Sequence, residues 1–307
     1  GELNRQTQAA IAIVAEEVHR VLAPLQSLLA EVGDLDLHLA RLRAGETYDG
    51  TIPIVTPVAD PPHFRCTAAV HPVLRGQVEA LGLSYQPVSA TLTAGAVSVV
   101  GPNMGGKTAF LRTCGLLQAL TQMGMMVPAA SLTTQLYNRV AWVGATEDEP
   151  SSGLSSFGQE MRALVCHLEA PVPSMLLVDE LGRSTEAEEG RALHEAVITW
   201  WQRQRAGLCI FAGHFRELAA LEGVQGLETG GLILERLEAA RGEGTLIQRL
   251  HQAIDYRVVE HRGAVPRAAV HIAAMLGLPA DIVDLATARL AGIKPVEPSG
   301  RDPEGEV

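Results

Sequence analysis

Lysine is almost missing from this chain. Of its 24 basic side chains only Lys107 and Lys294 are lysines, and the rest are arginine. Cysteine is also sparse: Cys66, Cys114, Cys166 and Cys209 stand far apart with no Cys-x-x-Cys pair. That spacing excludes a disulfide framework or a thiolate metal site and reads as buried apolar positions in a reducing compartment. No apolar run reaches the ~18 residues a membrane span needs. Positive charge is in deficit, with a net charge of -11, so the surface as a whole does not advertise nucleic acid. The first residues lack the charged-then-apolar pattern of a leader. A cytoplasmic protein is the expectation. Gly1 opens straight into a helical pattern, as in a segment of a longer chain.

One of the two lysines lies in the stretch around which the chain is organised, Gly101-Pro102-Asn103-Met104-Gly105-Gly106-Lys107-Thr108. It follows the apolar run 96–100 and precedes a helical pattern over 109–122. Strand, glycine loop and helix start are the context in which Gly-x-x-x-x-Gly-Lys-Thr cradles phosphates. The glycines let N–H groups turn inward, the helix N-terminus lies behind them, and Lys107 adds a compact charge. The Thr108 hydroxyl is placed for Mg²⁺. A chain that otherwise uses arginine keeps lysine where a point charge is wanted. ATP and Mg²⁺ are the expected ligands.

Further parts follow at fitting distances. Leu176-Leu177-Val178-Asp179-Glu180 ends an apolar strand in two acids, where an open α/β sheet places its ligand crevice. Alone that pair is a weak signal; about 70 residues after a phosphate loop it is a strong one. Asp179 then serves Mg²⁺, and Glu180 orients or deprotonates the attacking water. His214 ends the next strand on the same rim as a γ-phosphate sensor. The loop Ser152-Gly153-Leu154-Ser155-Ser156 precedes a helix; by itself it reads as an N-cap.

Elsewhere, apolar residues at Ile11, Val14, Val18, Val21, Leu22 and Leu25 repeat at helical spacing, and a second helix is expected from Asp34. Residues 45–62 read as a Pro/Gly linker and 66–93 as an irregular entry to the sheet. Strands are expected at 138–143, 175–179 and 208–212, with helices over 157–169 and 186–205. Shorter alternating strands are expected at 231–237, 245–250 and 256–260. Helices open at Pro266 and Pro279, and 293–307 reads as a disordered tail.

Together these motifs resemble the ATPase domain of the MutS family. The carriers are the glycine loop, Asp179-Glu180-Leu181-Gly182-Arg183-Ser184-Thr185, Gly213-His214-Phe215, Ser155-Ser156-Phe157-Gly158-Gln159-Glu160-Met161 and His71-Pro72-Val73. Asp34-Leu35-Asp36 resembles the end of the family's lever helices. The resemblance implies an α/β P-loop NTPase of ABC/MutS type, a mixed sheet flanked by helices with an N-terminal helical lever arm and a C-terminal helix pair. It divides the chain into a lever remnant and linker (1–62), the ATPase domain (63–264), a dimerising helical segment (265–292) and the tail (293–307). It implies a homodimer in which Ser155 or Ser156 reaches the partner's nucleotide, and an adenine lying near Tyr85 and Val88. DNA repair or recombination is the load it implies. Departures are Ser184 where the family has glycine, Gly213 where it has threonine, and no mismatch-reading segment within these 307 residues. Gly153-Leu154-Ser155-Ser156-Phe157-Gly158, Asp255-Tyr256-Arg257 and Val265-Pro266-Arg267 instead resemble MutS-related reactivases of adenosylcobalamin-dependent aminomutases, which act on a protein client. A P-loop kinase is the third class, and it leaves the serine loop unexplained.

Overall fold

A computed structural model describes residues 1–59, 61–144, 155–169, 171–182, 185–204, 207–233, 235–236, 244–261, 263 and 269–291. The chain opens with one helix, α1 (Glu2–Glu46), of 45 residues. The break expected at Asp34 is absent. Gly33 and Pro24 sit inside α1, off the apolar row of the helix. Each weakens the ladder locally, but the row continues in register past both.

After α1 come β1 (Ile54–Thr56), β2 (Phe64–Ala69), α2 (Pro72–Ala80), β3 (Val88–Leu92), β4 (Ala96–Val100) and α3 (Lys107–Gln122). Then follow β5 (Ser131–Gln135), β6 (Arg139–Val143), α4 (Ser156–Leu168), β7 (Ser174–Asp179), α5 (Ala187–Gln204) and β8 (Gly207–Gly213). The chain continues through a short 3₁₀ turn, β9 (Val224–Leu232), α6 (Leu246–Ala253), β10 (Ile254–Glu260), α7 (Ala269–Met275) and α8 (Ala280–Leu290). The strands form a six-stranded sheet ordered β10-β9-β4-β8-β7-β6 and a four-stranded sheet ordered β1-β5-β2-β3. In the larger sheet only β10 runs antiparallel to its neighbour.

Parallel strands covered on both faces need apolar side chains on both, and β4, β7 and β8 have them. Val97, Val99, Met175, Leu177, Leu208 and Ile210 point into a core shared with α3 and the small sheet. The alternate residues Ala96, Leu176, Val178, Cys209 and Phe211 meet Leu164 of α4 and Val197, Ile198 and Trp201 of α5. This mixed α/β architecture of sheets flanked by helices is the expected one at that level.

Several local expectations fail for identifiable reasons. Residues 66–93 are ordered as β2, α2 and β3, because β2 pairs with both β3 and β5. The linker contains β1, held parallel to β5; β5 itself has no counterpart among the expected strands. Residues 245–250 belong to helix α6 and not to a strand. Thr245 and Gln248 form a reciprocal capping box there, and Leu246, Leu250 and Ala253 share a helical face. The strand expected at 231–237 ends at Leu232. Cys66, Cys114 and Cys209 are buried as expected, but Cys166 is exposed on the outer side of α4. The tail, Val265-Pro266-Arg267, Arg183, Ser184 and the serine loop up to Leu154 lie outside the described residues.

No helix among the described residues is long and apolar enough to cross a membrane.

Candidate nucleotide site

Register brings the site together. Val100, the last residue of β4, pairs with Gly213 of β8, and Asp179, the last of β7, pairs with Ala212. The glycine loop, the acidic pair and His214 therefore leave three adjacent parallel strands on one rim, where such sheets keep their ligand crevice.

The loop is built to approach something closely. Gly106 is the N-cap of α3 with φ 91°, a left-handed conformation that glycine adopts without cost. A Cβ there would lie 3.0 Å from Cδ1 of Tyr256. Lys107 is buried and donates to the carbonyls of Gly101 (2.9 Å) and Pro102 (3.1 Å). Two of its three N–H groups thus fix the ammonium against the loop, and the third remains for a ligand. Burial pushes its pKa down, while the charges of Glu180 and Asp179 oppose that shift. Its neutraliser is built in.

Thr108 Oγ1 donates to Asp179 Oδ2 at 2.9 Å. The other carboxylate oxygen, Oδ1, is buried and makes no hydrogen bond among the described residues. Burial raises the Asp179 pKa; the Thr108 hydrogen bond works the other way. An orphaned carboxylate oxygen beside a hydroxyl suits a hard divalent cation that takes its remaining ligands from water and phosphate. Among the described residues no group of three or more His, Cys, Asp or Glu could hold a metal unaided. The fit is to Mg²⁺ held jointly with a nucleotide.

Glu180 has φ 53°, a conformation costing a non-glycine residue about 1–3 kcal/mol. It is held there: its N–H donates to Ala212 O at 2.9 Å, and Oε1 lies 2.8 Å from Nε2 of His214. The strained turn carries the carboxylate from the strand towards the rim and across to the histidine.

Other expected residues sit further out. Ser155 is the exposed N-cap of α4, its Oγ accepting from Gly158 N at 3.2 Å; no hydrogen bond among the described residues joins it to the rim of its own chain. Ser156 is the first residue of α4. The Tyr85 hydroxyl accepts from His71 N (3.1 Å), and Val88 is buried in the core. Segment 84–88 does approach the loop indirectly. Gln86 Oε1 accepts from Tyr256 N at 3.4 Å, and the Tyr256 ring rests on Gly106.

Three contributors are not among the expected site residues, although Tyr256 and Glu160 fall within motifs quoted above. Tyr256 donates to Nδ1 of His251 (3.0 Å), whose Nε2 donates to Ser84 O (2.8 Å), a chain that fixes the imidazole tautomer. His194 is buried, and among the described residues neither ring nitrogen has a hydrogen-bond partner. It stands edge-on to Phe211 and Phe215, which flank His214 in the chain. Glu160 is buried on α4 and accepts from Gly182 N at 3.0 Å. For Glu160 the spacing itself offers a hint: Glu160, Leu164 and Leu168 lie four apart, so a carboxylate occupies the apolar stripe of its helix.

The model of MutS domain V matches residues 97–294. A DNA mismatch repair protein MutS of Shouchella clausii is 28% identical over 298 residues, covering 96% of this chain and 32% of the relative. A DNA mismatch repair protein MutS of Leuconostoc mesenteroides is also 28% identical, over 286 residues. A DNA mismatch repair protein MSH3 of Pyricularia oryzae is 32% identical over 227 residues, 73% of this chain and 19% of that relative. The chain thus spans about a third or less of the curated relatives it matches.

Proposed function

Since the chain belongs to the MutS family through its domain V, we propose that it binds and hydrolyses ATP with Mg²⁺ and turns that cycle into movement of the arm α1. The observation that carries this reading is the convergence of Lys107, Thr108, Asp179, Glu180 and His214 on three register-matched strand ends.

In this reading the loop N–H groups and Lys107 bind the phosphates, the lysine already oriented by two loop carbonyls. Thr108 and Asp179 hold Mg²⁺, which when bound neutralises charge on the β- and γ-phosphate oxygens. Glu180 accepts a proton from the attacking water, and His214 senses the γ-phosphate while it holds the Glu180 carboxylate. Two copies combine as ABC-type dimers do, with Ser155 or Ser156 of one chain completing the partner's site and α7 and α8 holding the pair. Tyr85 and Val88 mark the adenine side. Movement reaches the arm through α3: the Tyr48 hydroxyl donates to Met126 O at 2.9 Å, and Gly45 packs on Met126 just beyond the end of α3. DNA, in mismatch repair or recombination, is the proposed load, as in the names of the relatives. The aminomutase reading finds no support among those relatives.

The test uses two variants. Lys107→Ala should lose ATP binding by roughly 100-fold or more. Glu180→Gln should bind ATP normally but hydrolyse it about 10²-fold more slowly, accumulating an ATP-bound dimer visible by light scattering. Wild-type turnover by Glu180→Gln would mean that some other group activates the water.

A further inference from the structure

A carboxylate is an odd choice for the inner face of α4. The same stripe one turn later carries Leu164, 3% exposed, in the core against α5. Glu160 is 7% exposed, and burial pushes its pKa up, opposed by the Gly182 hydrogen bond. A helix that only had to pack would gain by an apolar residue of similar size, because a buried ion seldom stabilises more than its hydrophobic replacement. Among the described residues, what the carboxylate reaches is the backbone N–H of Gly182, at 3.0 Å. Gly182 stands two residues after Glu180, with φ 70°, and a Cβ on it would press on Cα of Gly190 in α5 at 3.3 Å. The turn that bears the strained Glu180 is thus pinned on one side by α5 and on the other by Glu160.

Glu160 also lies little more than one turn from Ser155, the N-cap of its helix. We propose that Glu160 is a positioning residue: its bond to Gly182 makes the acid turn after β7 and the serine-bearing start of α4 one body. The inference rests on the composite-dimer reading above. There the acid turn serves the protomer's own ATP, and the serine loop serves the partner's. Displacement of Glu180 at one site therefore moves the serines at the other. Glu160 touches neither nucleotide and acts only through this bond.

The experiment uses Glu160→Met, which fills similar volume without an acceptor, and Glu160→Gln, whose amide oxygen accepts the same N–H. Glu160→Met is expected to melt close to wild type and to keep KM for ATP within about twofold, with kcat down roughly tenfold. Glu160→Gln restores most of kcat. If Glu160→Gln is as slow as Glu160→Met, the hydrogen bond is not the cause and the proposal falls. Should Glu160→Met fail to fold, the near-wild-type rate required of Glu160→Gln still tests it.

Mixed dimers of differently tagged protomers separate the two sites. Pairing wild type with Lys107→Ala leaves one working site and sets the reference rate. Pairing wild type with Lys107→Ala/Glu160→Met leaves a working site with an intact acid turn, completed by a serine loop that has lost its tie. That site should be several-fold slower than the reference; an equal rate overturns the coupling. Pairing Lys107→Ala with Ser155→Ala/Ser156→Ala is the control. If mixing these two restores no activity, the composite site itself is wrong and the coupling falls with it.

Discussion

The arm and the body bury their apolar residues in opposite ways. Along α1, Ile11, Val14, Val18, Val21, Leu25, Leu28, Val32, Leu35, Leu39 and Leu42 alternate steps of three and four, and every one faces solvent. That spacing belongs to a helix that lies along another helix. In the body, the residues of β4 and all of β7 up to Val178 are buried. Similar hydrophobicity is therefore committed in one region and presented in the other. Secondary structure alone does not make a stable unit. The body closes its two cores around a sheet, whereas about 67 Å of helix depends on its own hydrogen bonds and on the contacts of residues 41–50 with the turn after α3.

The largest consequence concerns stability. Leu177, 2% exposed, lies in the core between the large sheet and α3. Leu177→Ala should cost about 2–5 kcal/mol by lost burial and a residual cavity. Leu25→Ala, at a position 56% exposed, should cost less than about 0.5 kcal/mol. Denaturant midpoints of the two variants give the comparison directly. A large loss from Leu25→Ala would mean that the arm is packed in solution.

A second consequence is pH dependence that belongs to the body alone. Burial lowers the His194 pKa to about 4 from 6.5. The unfolded chain takes up this proton as pH falls through 6.5, and the folded chain does so only near 4. Stability from His194 is thus complete above pH 6.5 and declines between 6.5 and 4, by up to about 3 kcal/mol. His194→Phe should flatten that part of the stability profile measured by thermal melts between pH 7 and 4.5. An unchanged slope would assign the acid sensitivity to other groups.

How much is legible in the sequence follows the same division. The glycine loop, Asp179, Glu180 and His214 are legible because each is the end of an apolar strand, and strand pairing turns that shared ending into a shared rim. The apolar runs of β7 and β8 likewise announce a sheet covered on both faces. The small sheet is obscure because Ser131–Gln135 is short and polar, and only its neighbours make it a strand. Thr245–Leu250 misleads because a brief mixed run fits alternation and helical spacing equally; the Thr245–Gln248 capping box decides it. Glu160 with Gly182, and Tyr256 with Gly106, join residues far apart in the chain, which no local pattern reports.

The smallest effect is the most direct probe of the boundary between the regions. Gly33 lies inside α1, and a Cβ added there would meet nothing within 4 Å. Gly33→Ala therefore gains helix propensity without steric cost, about 1 kcal/mol for the arm. Hydrogen exchange of amides near residue 33 should slow by up to about fivefold, while the body's melting transition stays where it was. ATP turnover should also be unchanged, because the contacts that join arm to body begin at Arg41 beside Gly124 and at Gly45 on Met126. A change in turnover would show that the stiffness of the arm, and not only its rooting beyond α3, feeds back on the site.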